Sequence, residues 1–191
     1  MATPPPESHD HHFEPEPAKL LLDHLALFTR GPLPGPVLDL AAGTCRNGIA
    51  LGRFKVRVVC CDVSSEALAI GEERARQEGV VIETWQIDLE QAEKNPFPRE
   101  KFGGILVFRY LHRPLIPWIK EALSPGGILI YETYTEDQAV FGRPTNPAFL
   151  LKPGELYDWF AEWNMIHYSE GVREAPLRAV AQLVCRKPGV H

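Results

Sequence analysis

No apolar run in this sequence approaches the ~20 residues of a membrane-spanning helix; the longest are the length of a single strand. Positive charge is not in excess either. Twenty Lys and Arg face 25 Asp and Glu, for a net charge of −5. Nothing therefore draws the whole chain to DNA or to an anionic membrane. The cysteines, Cys45, Cys60, Cys61 and Cys185, form no CxxC pair. That pattern suits a reduced, cytoplasmic protein. His9, His11 and His12 lie close together, but no acidic or cysteine cluster with ligand spacing follows, so no metal site is expected. A basic and apolar leader is also missing. Residues 1–16 are polar, acidic and proline-rich, and are read as a flexible N-terminal arm rather than a secretory or transit segment. The alternative is an arm that folds over a site as a lid. Residues 17–191 are read as one domain with a sizeable core.

Glycine is scarce where a dinucleotide site would need it. Residues 37–48 read VLDLAAGTCRNG: an apolar run, an acid, a small-residue turn and Arg-Asn-Gly. Laid on GxGxxG, the three glycine positions are Ala41, Gly43 and Arg46, so one of three is filled. Arg46 falls where helix and strand must pack closely. The phosphate cradle of a nicotinamide enzyme is thus incomplete, and an NAD(P)-dependent oxidoreductase is kept only as an alternative.

The rest of the chain alternates strand and helix patterns. A helix is predicted over 17–30, then strands over 37–40, 56–61, 80–87, 104–108 and 128–133. Helices are predicted after the small-residue turn, after Ser64-Ser65-Glu66 up to Gly79, over 115–123 and over 155–163. Ser124-Pro125-Gly126-Gly127 reads as a turn, 134–152 as a long aromatic loop, and 165–168 and 179–185 as two closing strands. Cys60 and Cys61 should point to opposite faces of their strand. The alternation predicts an open, mostly parallel sheet with helices on both faces. Ligands of such sheets bind beyond the carboxyl ends of the strands.

Three successive strand ends carry an acid: Asp39, Asp62 and Asp88. A carboxylate after the second strand can accept both hydroxyls of an adenosine ribose. One after the third, followed by apolar Leu89, can accept an exocyclic amine beside a purine face. S-adenosylmethionine carries no phosphate and needs no glycine cradle. Its ammonium suits Asp39 and the backbone near Ala41.

With these residues in view, the chain resembles the class I S-adenosylmethionine-dependent methyltransferases. VLDLAAGTCRNG resembles their first motif, VVCCDVS the second, WQIDLE the third, and ALSPGGILIYET the turn and strand after the fourth. The Arg-Asn-Gly is similar to the branch of tellurite-resistance-type and thiopurine-type small-molecule methyltransferases. The resemblance implies an α/β, Rossmann-like methyltransferase fold: a seven-stranded, mostly parallel sheet with an antiparallel closing strand. It implies S-adenosylmethionine as cofactor, held by Asp39, Ala41, Gly43, Asn47, Asp62, Val63, Asp88, Leu89, Phe108 and Arg109. Ala41 and Cys45 stand where the family carries glycine, and Cys45 is expected to demand an ordinary negative φ.

After the fourth strand comes Phe108-Arg109-Tyr110-Leu111-His112-Arg113-Pro114. The Asn/Asp-Pro-Pro-aromatic motif of adenine- and glutamine-directed methyltransferases is missing from it. His112 is the candidate general base, because an imidazole titrates near neutrality. Tyr110 is expected to orient the acceptor, and Arg109 or Arg113 to hold an anionic group through a bidentate fork. The expected acceptor is a small molecule or metalloid species. A protein or tRNA acceptor, or a non-catalytic cofactor-binding module, are the alternatives.

Overall fold

Asp39, Asp62 and the segment after Phe108 meet along one edge of a central sheet. The computed structural model describes residues 16–189; the predicted arm lies outside them except for Glu16. The elements are α1 (Lys19–Asp23), α2 (Ala26–Thr29), β1 (Val37–Leu40), α3 (Arg46–Gly52), β2 (Val58–Asp62), α4 (Ser65–Gln77) and β3 (Glu83–Gln86). They continue with β4 (Phe102–Phe108), α5 (Leu115–Ala122), β5 (Leu123–Tyr134), α6 (Gln138–Phe141), α7 (Glu155–Phe160), β6 (Asn164–Glu174) and β7 (Leu177–Arg186).

The sheet runs β3-β2-β1-β4-β5-β7-β6. Strands β1 to β5 are parallel, and β7 is antiparallel to both its neighbours. The predicted sheet is therefore present, with its single antiparallel strand. Strand order reverses at the β1/β4 junction, the switch point where such folds bind ligands. Strand alternation sorts the core into two layers. Cys61, Ile105 and Leu129 face α5 and α7, while Cys60, Leu106 and Ile130 face α1, α3 and α4. The adjacent cysteines do point to opposite faces.

The predicted first helix is two helices. The chain leaves helical geometry at His24, whose φ is −114°. Its ring Nδ1 lies 3.0 Å from the Leu20 carbonyl and caps α1. Leu20, Leu21 and Phe28 are still buried, so the apolar spacing is satisfied by two short pieces. The predicted turn at 124–127 lies inside β5 instead. Gly126 takes φ +77°, and its N–H donates to the Lys187 carbonyl while Lys187 N–H donates to Gly127. Pairing with the chain beyond β7 keeps this stretch extended. The closing strands are also longer than predicted, because each supplies the other's hydrogen bonds from Asn164↔Arg186 to Glu174↔Leu177. The long loop 134–152 contains α6 and a 3₁₀ turn over Pro147–Phe149.

Candidate active site

The loop between β1 and α3 alternates into left-handed backbone at Ala41 (φ 53°), Gly43 (φ 54°) and Cys45 (φ 59°). The expectation of a negative φ at Cys45 is thus overturned. A left-handed residue other than glycine costs about 1 kcal/mol. Burial offsets it here: Cys45 is fully buried, and its Sγ fills the space above Gly71, where a Cβ would come within 2.7 Å of it. Gly48 is needed for the same packing, since a Cβ there would lie 2.4 Å from Cys60 Sγ.

All three strand-end acids are anchored by backbone N–H groups. Asp39 Oδ2 accepts from Gly48 N at 3.0 Å. The residue is buried, and burial pushes its carboxyl up to about 7. Asp62 Oδ2 accepts from Gly43 N at 2.7 Å and its Oδ1 from Ser64 N at 2.9 Å. One carboxylate thereby ties the β1 loop to the start of α4. Asp88 Oδ1 accepts from Glu90 N at 3.0 Å and Gln91 N at 3.2 Å. Val63, next to Asp62, is exposed, and Leu89 is buried. Asn47 is turned inward: its Oδ1 accepts from Ala18 N at 2.8 Å, and the residue is buried. Arg46 Nη1 donates to the Glu16 carbonyl at 3.0 Å. The segment before α1 is therefore fastened to the start of α3.

Beyond β4, Phe108 is buried and pairs with Glu132 of β5. Arg109 is left-handed (φ 57°), with its N–H on the Glu132 carbonyl at 2.8 Å. Tyr110 is half-buried; burial and the nearby Glu90, Tyr131 and Asp88 push its phenol upward. It therefore stays protonated and stands toward the β3 end of the rim. His112 is half-buried, and its carbonyl accepts from Leu115 N at the start of α5. The fork of Arg113, predicted to hold an anion, is occupied inside the fold. Its Nε and Nη2 bind the two Glu155 oxygens at 2.7 and 2.8 Å, and its Nη1 and Nη2 reach the Ala148 and Leu150 carbonyls at 2.9 and 2.8 Å. Arg113 holds the Glu155 carboxyl below its ordinary range.

Sequence reasoning misses the partners of one acid on this rim. Glu132 is buried and accepts from Gln182 Nε2 at 2.5 Å and Arg178 Nη2 at 3.3 Å. Gln182 Oε1 in turn accepts from Ser169 and Arg173. Only the β5–β7–β6 register, which sets Glu132, Gln182 and Ser169 side by side, brings these residues together. Polar residues at every fourth position of β7, Arg178, Gln182 and Arg186, were the available signal.

Residues 37–127 match the family model described as a methyltransferase domain. Among solved structures, TehB from Haemophilus influenzae is similar with TM-score 0.70 and 22% identity over 87% of this chain, which spans 61% of the TehB chain. The [4+2]-cyclase SpnF is similar at TM-score 0.69 and 17% identity, covering 89% of this chain and 80% of that one. A SAM-dependent methyltransferase from Methanosarcina mazei gives TM-score 0.68 and 13% identity, covering 92% of this chain and all of that one. At these identities the structural likeness carries the fold. No curated protein matches in sequence. No helix of the described residues is long and apolar enough to cross a membrane. Residues 37–127, which hold the strands and loops that bear the three acids, are thus similar to a methyltransferase domain, on a fold shared with S-adenosylmethionine-dependent methyltransferases.

Proposed function

We propose that the chain transfers the methyl group of S-adenosylmethionine to a small-molecule or metalloid acceptor bound beyond the ends of β4 and β5, in the cytoplasm. The observation that carries the site assignment is the row of Asp39, Asp62 and Asp88 at three successive strand ends, each held by backbone N–H groups. Each Asp62 oxygen accepts one such bond and keeps a lone pair for a ribose hydroxyl. Asp88 and Leu89, with exposed Val63, form the adenine side. Asp39 and the backbone of Ala41 and Gly43 face the ammonium, and the backbone of Phe108 and Arg109 holds the methionine chain. Arg113 serves the fold that carries the site, since its fork is already committed, and Asn47 gives its Oδ1 to the Ala18 N–H.

The cofactor supplies an electrophilic methyl on a sulfonium. The protein's part is to hold the acceptor in line with it, which can supply most of the acceleration for a soft nucleophile. His112, whose ring meets no hydrogen-bond partner among the described residues, takes a proton where the acceptor has one to lose. Tyr110, kept protonated, orients the acceptor as a donor. The segment between β5 and α7 folds back along this rim, Thr135 pairing with Leu151, which suits a small acceptor. All described cysteines are free and buried, in keeping with a reducing compartment.

The test is calorimetric titration with S-adenosylhomocysteine, followed by release of that product in the presence of thiols and metalloid oxyanions. Asp62→Ala is expected to weaken binding about a hundredfold, the value of two hydrogen bonds to a charged group. Unchanged binding would remove the assignment. Product release with a protein or tRNA fraction, and with none of the small acceptors, would move the acceptor to the alternative class.

A further inference from the structure

A β-bulge interrupts the β6/β7 register between Met165 and His167. Bulges re-aim side chains, and this one turns His167 toward His24. The two rings stand 5.4 Å apart, centroid to centroid, at 49°. His24 occupies the break between α1 and α2, with its Nδ1 on the Leu20 carbonyl. His167 Nε2 lies 3.3 Å from Ser169 Oγ, which donates to Gln182. The other end of α1 is Ala18, whose N–H donates to buried Asn47 in α3. Just before it, the Glu16 carbonyl accepts from Arg46. The five-residue α1 thus spans from the start of α3, which follows the cofactor loop, to the β6 edge, with a histidine pair as its far fastening.

We infer that α1 is a strap over the cofactor-loop side of the domain, latched by the His24–His167 ring contact and released when His167 takes up a proton. The description of that loop as the cofactor loop rests on the function proposed above; the latch itself does not.

Every charged or titratable neighbour that acts on His167 enters the balance. Burial, then His24, disfavours its charged form, as does Arg173, while Gln182 and Asp23 favour it. The net effect is downward. Asp23 is also paired with Lys19 on the outer face of α1. Glu132 and Arg178 lie one residue further, behind Gln182. The latched state therefore resists protonation, whereas a released His167 in water accepts a proton at the usual imidazole value of about 6.5. As pH falls through that range, the released state binds more protons and gains population. Above it the latch is closed.

The experiment is amide hydrogen exchange on the cofactor-free full chain between pH 7.5 and 5.5, corrected for intrinsic exchange rates. Amides of residues 20–24 are compared with those of β4, which report global unfolding. The expected result is a protection drop of tenfold or more at residues 20–24 on acidification, with β4 unchanged. In His167→Gln, and in His167→Phe, which retains a ring against His24, protection at 20–24 is expected to become independent of pH. Protection that stays constant in the unaltered chain would overturn the latch. So would an acid-dependent drop that persists in both variants. A drop shared by β4 would show global unfolding and also overturn it. Because no cofactor is present, failure here leaves the methyltransferase assignment untouched, and failure to bind S-adenosylhomocysteine leaves the latch untouched.

Discussion

Cys45 shows how a residue that departs from the usual motif is accommodated. Its left-handed backbone favours glycine, yet its sulfur fills the pocket over Gly71. The two effects separate by substitution. Cys45→Gly relieves the backbone but leaves a void, and the changes nearly cancel. Cys45→Ala keeps the strain and leaves most of the void, so it is expected to be about 1 kcal/mol less stable than Cys45→Gly, measured by urea unfolding. Asp39 carries a second prediction. Its folded carboxyl sits at about 7 against the ordinary 3.8, chiefly through burial. The folded state therefore holds a proton that the unfolded chain has lost, and this group's contribution to stability falls as pH rises from about 4 to 7. A ligand ammonium favours the ionised carboxylate, so affinity for S-adenosylhomocysteine should rise with pH up to about 7 and then level. Titrations in two buffers of different ionisation enthalpy should register proton release at pH 6. Asp39→Asn should abolish that release.

At the scale of elements, Arg113 is a fastener between the end of β4, the start of α7 and the long excursion after β5. Its four bonds have a fixed fork geometry that a lysine ammonium cannot reproduce. The pair with Glu155 is partly exposed, 34% and 18% for the two side chains, so solvent discounts its charge component. The two carbonyl bonds to Ala148 and Leu150 remain. Arg113→Lys is expected to cost about 1 kcal/mol and to open residues 142–150 to proteolysis, while S-adenosylhomocysteine affinity is unchanged. Cleavage at the unaltered rate would show that the excursion is held by its base alone, at Thr135–Leu151. Gly48 tests helix packing. An alanine there must displace Cys60 Sγ and meets Val58 Cγ1 at 3.1 Å. An overpacking cost of about 1–3 kcal/mol follows.

At the scale of the whole molecule, alternation of apolar strands with capped helices was enough to read the parallel half of the sheet and the edge on which the site lies. The Ser64 cap and the opposed faces of Cys60 and Cys61 follow from local rules. What the sequence does not carry is long-range. The partner of Arg113 is 42 residues away and that of Glu132 is 50 residues away, and no periodicity encodes such pairs. The backbone sign at Cys45 was misread because steric preference was weighed without the space that Gly71 provides. Cofactor identity rests on whole-molecule logic in the same way, with one glycine of three in the loop and three acids at strand ends. Binding and turnover are measured separately. Ligand binding to the folded state alone stabilises it by about 2.7 kcal/mol at a hundredfold excess over Kd. For a chain of this length that raises Tm by about 11–22 °C if the folding unit is small, and by about 5–11 °C if all described residues unfold together. S-adenosylmethionine and S-adenosylhomocysteine are each expected to give the smaller shift, and NADH or NADPH at equal concentration none. A nicotinamide shift with no shift from S-adenosylhomocysteine would return the incomplete glycine loop to a dinucleotide, against the order of the four motifs around it.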